Sequence, residues 1–259
     1  LYGISLEGKN ALIFGVANQR SIAWAIARAL HQAGARLALA YQNERVKEGV
    51  ASLAATLSDD VVLLQCDVTS DEQVEETFRQ VQEQLGSLAV VVHSIAFANR
   101  DELGGDFTKT SRDGFRLALD ISAYSLIPIA RYAAPLMEKE GGSIITMSFQ
   151  ASQRVFPGYN VMGTAKAALE HEVRQLAAEL GAKNIRVNAL SPGPVDTLSS
   201  RVIQGYTTMK RMHAERSPLA RNITQEEIAK AALFLCSDLS SAVTGAIIPV
   251  DGGYSIMGI

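Results

Sequence analysis

The 259-residue chain is expected to form one α/β domain: a doubly wound parallel sheet of about seven strands with helices on both faces. Two observations predict it. Short, nearly continuous apolar runs recur at 11–14, 36–40, 61–64, 89–93, 143–147, 185–190 and 246–250, as parallel strands covered on both sides require. Between them lie segments such as 21–33, 71–85, 112–138, 159–181 and 225–237, with apolar residues three and four apart, the period of amphipathic helices. No repeat, linker or low-complexity stretch interrupts the alternation, so a single domain over 1–259 is expected. A net charge of −3 without a basic stripe argues against nucleic acid as partner. No apolar run reaches the length of a membrane span, and Leu1-Tyr2-Gly3-Ile4-Ser5-Leu6 lacks the pattern of a signal peptide. Cys66 and Cys236, far apart in apolar contexts, read as buried free thiols and point to the cytoplasm.

The elements carry chemistry at their ends. The first strand runs into Gly15-Val16-Ala17-Asn18-Gln19-Arg20-Ser21-Ile22 and a helix. A dinucleotide pyrophosphate needs a tight turn, close backbone approach and a helix N-terminus. Gly15 supplies the turn, Ser21 and Ile22 the helix start, and Ala17 and Ser21 stand where small residues are needed; the familiar G-x-G-x-x-G is absent, so this turn by itself leaves open both a Rossmann-like dinucleotide loop and an ordinary βα turn. The second strand ends at Tyr41-Gln42, where an acid usually binds the adenosine ribose. Gln42 can still bond a ribose hydroxyl, and Arg45 leaves room for a 2′-phosphate, so the residues favour NADH over NADPH. After the third strand, Asp67, beside Val68, can accept from the adenine amino group, or cap the helix that starts near Ser70. The fourth strand closes with His93-Ser94-Ile95-Ala96-Phe97-Ala98, small residues at the carboxyl edge where cofactors lie. His93 there reads as a packed, satisfied residue.

The fifth strand leads through Ser148 to a helix expected to carry both Tyr159 and Lys166. Seven helical steps put the two on one face, roughly 10 Å apart along the axis. A phenol donates to developing negative charge better beside a cation that lowers its pKa, and the lysine stem can also reach a hydroxyl-rich ligand. A packed tyrosine and a snorkelling lysine have the same spacing; the strand-end residues give the chemical reading its context.

In order along the chain, Gly15-Val16-Ala17-Asn18-x-x-Ser21-Ile22-Ala23, Tyr41-Gln42, Cys66-Asp67-Val68, the His93–Ala98 stretch, Tyr159-Asn160-Val161-Met162-Gly163-x-Ala165-Lys166, Arg186-Val187-Asn188-Ala189 and Val250-Asp251-Gly252-Gly253 resemble the bacterial NADH-dependent enoyl-acyl-carrier-protein reductases. These form a divergent branch of the short-chain dehydrogenase/reductase superfamily, and the likeness runs over essentially the whole chain. Its most specific element is Tyr-x6-Lys: ordinary members have Tyr-x3-Lys, and Gly163 occupies that fourth position. The spacing speaks against the alternative of another superfamily member acting on a carbonyl or 3-oxoacyl substrate. Intact Tyr159 and Lys166 speak against a cofactor-binding regulator without turnover.

The resemblance implies reduction of the trans-2 double bond of an enoyl thioester in type II fatty-acid synthesis, with hydride to C3 and an enolate stabilised by Tyr159. Lys166 would hold the nicotinamide ribose. The family's cofactor positions map onto Gly15, Ser21, Ile22, Gln42, Asp67, Val68, Ile95, Lys166 and the run Val195-Asp196-Thr197-Leu198-Ser199. Ala17, Ser94, Ala96, Pro192 and Gly193 are assigned beside them, and Thr197 can donate to the carboxamide. Ala98, Phe149, Tyr159 and Met209 are assigned to the acyl side, and no metal is called for. Phe149 stands where most bacterial members carry a second tyrosine; mycobacterial long-chain enoyl reductases are similar in having Phe. It is read as lining the pocket, with Tyr159 left as the motif's phenol. A lid is expected over about 195–216, where Val202, Ile203, Tyr206, Met209 and Met212 would face an acyl chain and Lys210 and Arg211 a phosphopantetheine or an acidic carrier. The substrate's carrier would be acyl-carrier protein or coenzyme A. The apolar tail 245–259 needs cover, and the resemblance implies a homotetramer that packs it at a subunit interface.

Overall fold

The apolar runs become strands whose alternate side chains enter two different cores. In the computed structural model, which describes residues 3–198, 200, 203 and 205–258, the strands are β1 (Asn10–Phe14), β2 (Arg36–Tyr41), β3 (Val62–Gln65), β4 (Val90–His93), β5 (Gly142–Met147), β6 (Ile185–Pro192) and β7 (Ile247–Val250). They form one parallel sheet in the order β3-β2-β1-β4-β5-β6-β7. On β1, Ala11 and Ile13 enter one core and Leu12 and Phe14 the other; on β2, Leu37 and Leu39 part from Ala38 and Ala40 in the same way. The strand period of two is therefore present inside runs that read as uniformly apolar.

The helices are α1 (Ile22–Gln32), α2 (Glu44–Ala54), α3 (Asp71–Leu85), α4 (Arg112–Leu119), α5 (Leu126–Met137), α6 (Val161–Leu180), α7 (Tyr206–Arg216) and α8 (Gln225–Cys236). Ile26 of α1, Val50 of α2 and Ile228 of α8 cover the first face. Phe78 of α3, Ile129 of α5 and Leu169 of α6 cover the second. The chain builds outward from β1 through β2 to β3, then crosses back to place β4 on the other side of β1. That reversal opens a cleft at the carboxyl ends of β1 and β4, where doubly wound sheets bind ligands.

Three elements differ from the sequence expectation. Helix α2 was not among the expected helices, because it buries only Val50, Leu53 and Ala54; Asn43 caps it by accepting from the Arg45 amide. The helix expected over 112–138 is broken by a π turn at Asp120–Tyr124, closed by the Ser125 amide donating to the Asp120 carbonyl at 3.1 Å. Apolar residues continue through the turn, so periodicity cannot reveal it. The helix expected to start at Tyr159 starts at Val161, after Asn160 at φ 36°. Cys66 and Cys236 are buried and free. Among the described residues, no helix is long and apolar enough to cross a membrane.

Candidate active site

Gly15, directly after β1, has φ +95°, and a Cβ there would lie 2.0 Å from the carbonyl oxygen of Ser94. Only glycine lets the ends of β1 and β4 approach this closely. The Ser21 hydroxyl accepts from the amides of Ala17 and Asn18, each at 3.0 Å; it shapes the loop and does not cap α1. The amides of Ile22 and Ala23 precede the first backbone hydrogen bonds of α1, which run from Trp24 and Ala25 to the Ser21 carbonyl, and give the loop an anion-binding end. Gly15, Ala17, Ser21 and Ile22 line a cleft of about 470 Å³ that continues past Gln42 to Asp67 and Val68. Asp67 Oδ1 accepts from the Thr69 amide at 3.0 Å and the Thr69 hydroxyl at 2.8 Å. It does not cap α3; Ser70 does, accepting from the Gln73 amide. The size, the glycine approach, the amide-rich loop and the polar far end together fit a dinucleotide.

Ser94, Ile95 and Ala96 line the same cleft after β4. Their segment is held from beneath by the π turn. Ser122 Oγ accepts from the Phe97 amide at 2.9 Å and donates to the Phe97 carbonyl at 3.0 Å. Ser125 Oγ lies 2.8 Å from His93 Nε2, and Thr146 Oγ1 lies 2.8 Å from His93 Nδ1. Burial, with the Lys166 charge adding to it, pushes the His93 pKa down to about 3. His93 is a neutral tie between β4, β5 and the π turn. Sequence reasoning missed Ser122 and Ser125; two serines three apart in an apolar helix were the available signal.

Lys166 is 3% exposed, and its Nζ donates to the Met147 carbonyl at 2.7 Å. A lysine has three N–H donors, so two remain for a ligand. Burial lowers its pKa to about 8, opposed by the Glu170 charge. Tyr159 does not reach Lys166 along a shared helical face. A turn before α6 delivers it, with Gly158 at φ 82° and Asn160 at φ 36° and the Asn160 side-chain Nδ2 donating to the Gly104 carbonyl. Nor does the lysine lower its pKa: burial raises the phenol above the ordinary tyrosine value. Tyr159 is therefore a persistently neutral donor. Its ring centroid lies 4.9 Å from that of Phe149, which lies 4.9 Å from that of Phe156.

Tyr159 and Lys166 line the cleft, and Tyr159 also lines an adjoining chamber of about 600 Å³ with Phe149, Ala98 and Met209. Pro192, Thr197 and Leu198 border both spaces, whereas Gly193 and Val195 line the chamber alone. Asp196 lines neither; its carboxylate pairs with Lys210 and its carbonyl accepts from Gln225 Nε2 at 3.0 Å. Ile203 and Tyr206 join Met209 on the chamber wall, while Met212 lines a separate hollow beside Gly104 and Phe156. Ser199 and Val202 lie outside the described residues.

A family model described as enoyl-(acyl carrier protein) reductase matches residues 15–255. The enoyl-acyl-carrier-protein reductase (NADH) FabI of Bacillus subtilis is 49% identical over 253 residues, covering 97% of this chain and 98% of that one. The Staphylococcus aureus FabI, named for NADPH, is 47% identical over 252 residues, covering 97% and 98%. The crystal structure of the Bacillus cereus enoyl-acyl carrier protein reductase, with NADP+ and indole naphthyridinone, has a TM-score of 0.96 at 49% identity, covering 98% of this chain and 99% of that one. On this likeness over nearly its whole length, the chain belongs to the bacterial NADH-dependent enoyl-acyl-carrier-protein reductase family.

Proposed function

We propose that the chain reduces the trans-2 double bond of an enoyl thioester with NADH, as a reducing step of type II fatty-acid elongation. One observation carries the reading: Tyr159 lines both the cofactor cleft and the apolar chamber. The loop Gly15–Ile22 would hold the pyrophosphate, Gln42 and Asp67 the adenosine, and Ser94–Ala96 with Pro192 and Thr197 the nicotinamide end. Neutral Gln42 at the end of β2 favours the ribose hydroxyls of NADH over a 2′-phosphate. When bound, NADH supplies a hydride to C3 of the substrate. The C2–C3 π pair then moves to C1–C2, and the carbonyl pair moves onto oxygen. The Tyr159 hydroxyl donates to that oxygen as its charge develops, and burial keeps the hydroxyl protonated. Lys166 adds positive potential and offers its two remaining N–H groups to ribose hydroxyls. Solvent supplies the proton that C2 takes up as the carbonyl re-forms. Phe149 offers no second phenol; it fills the wall beside Tyr159.

The lid reading over 195–216 is supported by α7, whose Tyr206 and Met209 border the chamber. Both residues of the basic side expected toward the carrier are paired within the chain, Lys210 with Asp196 and Arg211 with Glu215 at 3.9 Å. We take acyl-carrier protein as the natural carrier and coenzyme A as a smaller surrogate. Ile256 in the tail is 79% exposed and Val155 93%; Arg154, next to Val155, ties the tail down through the Ser255 and Met257 carbonyls. A homotetramer would cover them, and sedimentation of the purified chain as a monomer would contradict it. Free, buried Cys66 and Cys236 suit a reducing cytoplasm. The test of the activity is NADH oxidation with a crotonyl thioester beside a 3-oxoacyl thioester. Turnover of the first alone is expected; turnover of the second in its place would overturn the reading.

A further inference from the structure

Two carboxylates are buried among the described residues, Glu170 and Asp251, and the chemistry above gives Glu170 no role. Glu170 lies one helical turn beyond Lys166 on α6 and is 4% exposed. Its Oε1 accepts from the hydroxyls of Ser148 and Ser152, each at 2.6 Å. Arg174 Nη2 stands 3.9 Å from its Oε2. Ser148 and Ser152 bracket the segment that carries Phe149, whose ring packs on Tyr159, and Ser148 lines both cavities. A buried charge is costly unless partnered, and an apolar side chain of similar size would serve packing as well. The placement of this charge, behind the lysine and beneath the Phe149 segment, suggests two uses.

We propose that Glu170 is a positioning residue of the reductase site: its carboxylate clasps Ser148 to Ser152, setting Phe149 against Tyr159, and its negative charge, one helical turn from Lys166, serves that lysine. The clasp half rests on the enoyl-reductase reading, because thioester kinetics report it; the lysine half does not, because NADH binding alone reports it. The titratable groups that act with Lys166 are His93 from β4, held neutral by burial, and Glu170 from its own helix. The Tyr159 phenol, from the turn before α6, is neutral as well. Of these, Glu170 is the group that works against the desolvation drawing the lysine toward deprotonation.

Two substitutions separate the halves. Glu170→Gln keeps an acceptor oxygen for the serines and removes the charge. Glu170→Asp keeps the charge and is one methylene short of the serines. NADH binding is titrated by fluorescence without substrate from about pH 6 to pH 10, and KM is measured for a trans-2-enoyl thioester. In Glu170→Gln the alkaline loss of NADH affinity moves about one pH unit lower, with KM little changed. In Glu170→Asp that loss stays at its wild-type pH and KM rises about tenfold. A purely structural residue would lower the melting temperature of both variants and move neither quantity, which would overturn the proposal. Should Glu170→Gln fail to fold, Ser148→Ala/Ser152→Ala leaves the carboxylate in place; an unchanged KM there would sink the clasp. Lack of enoyl turnover by the wild type, with the NADH shift still present in Glu170→Gln, would defeat the reductase reading and leave the lysine half standing.

Discussion

The cofactor cleft and the acyl chamber share Tyr159 and are built on opposite principles. The cleft is made from the ends of β1, β2, β3 and β4, whose parallel register places Gly15, Gln42, Asp67 and Ser94 along one edge. Apart from Pro192 at the end of β6, the chamber is made from what lies beyond the sheet, chiefly the Ala96–Leu103 stretch, the Phe149–Tyr159 turns and α7. Rigid elements hold what every turnover shares, and loops shape what varies between substrates. Substitutions on the two sides should therefore separate cleanly, NADH affinity on one and thioester kinetics on the other.

The largest effect is expected at Tyr159. Tyr159→Phe removes the donor to the developing oxyanion and should lower kcat about 100-fold, while NADH binding by fluorescence stays near wild type. A matching loss of NADH affinity would merge the two regions. Next comes Gly15→Ala. Its Cβ would meet the Ser94 carbonyl at 2.0 Å in a backbone at φ +95°, so NADH affinity should fall by about tenfold or more. The melting temperature should fall with it. Lys166→Ala should weaken NADH binding by about tenfold at pH 7. The wild-type lysine is charged below its pKa of about 8 and neutral above it, so wild-type affinity should decline above pH 8 and the alanine variant should show no such decline. Equal NADH affinity in wild type and Lys166→Ala would remove the lysine from the cleft's machinery. The smallest effect is expected on the chamber side: Phe149→Tyr should change enoyl KM by less than about tenfold and leave the NADH titration where it was.

The same division governs what could be read from the sequence. Cleft residues were legible because position alone determines them: a glycine after the first strand, a glutamine after the second, an aspartate after the third. Chamber residues depended on backbone that periodicity cannot show. Tyr159 and Lys166 are seven apart, as on one helical face, yet Asn160 at φ 36° puts the tyrosine in a turn. The apolar pattern through Ile121 and Ala123 hides a π turn that brings Ser122 under the Phe97 backbone and Ser125 against His93. Glu170, on a helix with many charged positions, looks solvated until folding buries it against Ser148 and Ser152. The direction of the Tyr159 pKa was misjudged for the same reason: spacing shows a neighbouring cation, and only the fold shows how dry the site is.

The most direct test of the account follows the hydride. NADH deuterated at the transferring carbon is mixed with a trans-2-enoyl thioester in ordinary water, and the product is examined by mass spectrometry and NMR. One deuterium at C3 and a solvent hydrogen at C2 are predicted. Deuterium at any other carbon, or none transferred while NADH still binds, would contradict a cleft and chamber that meet at Tyr159 to reduce an enoyl thioester.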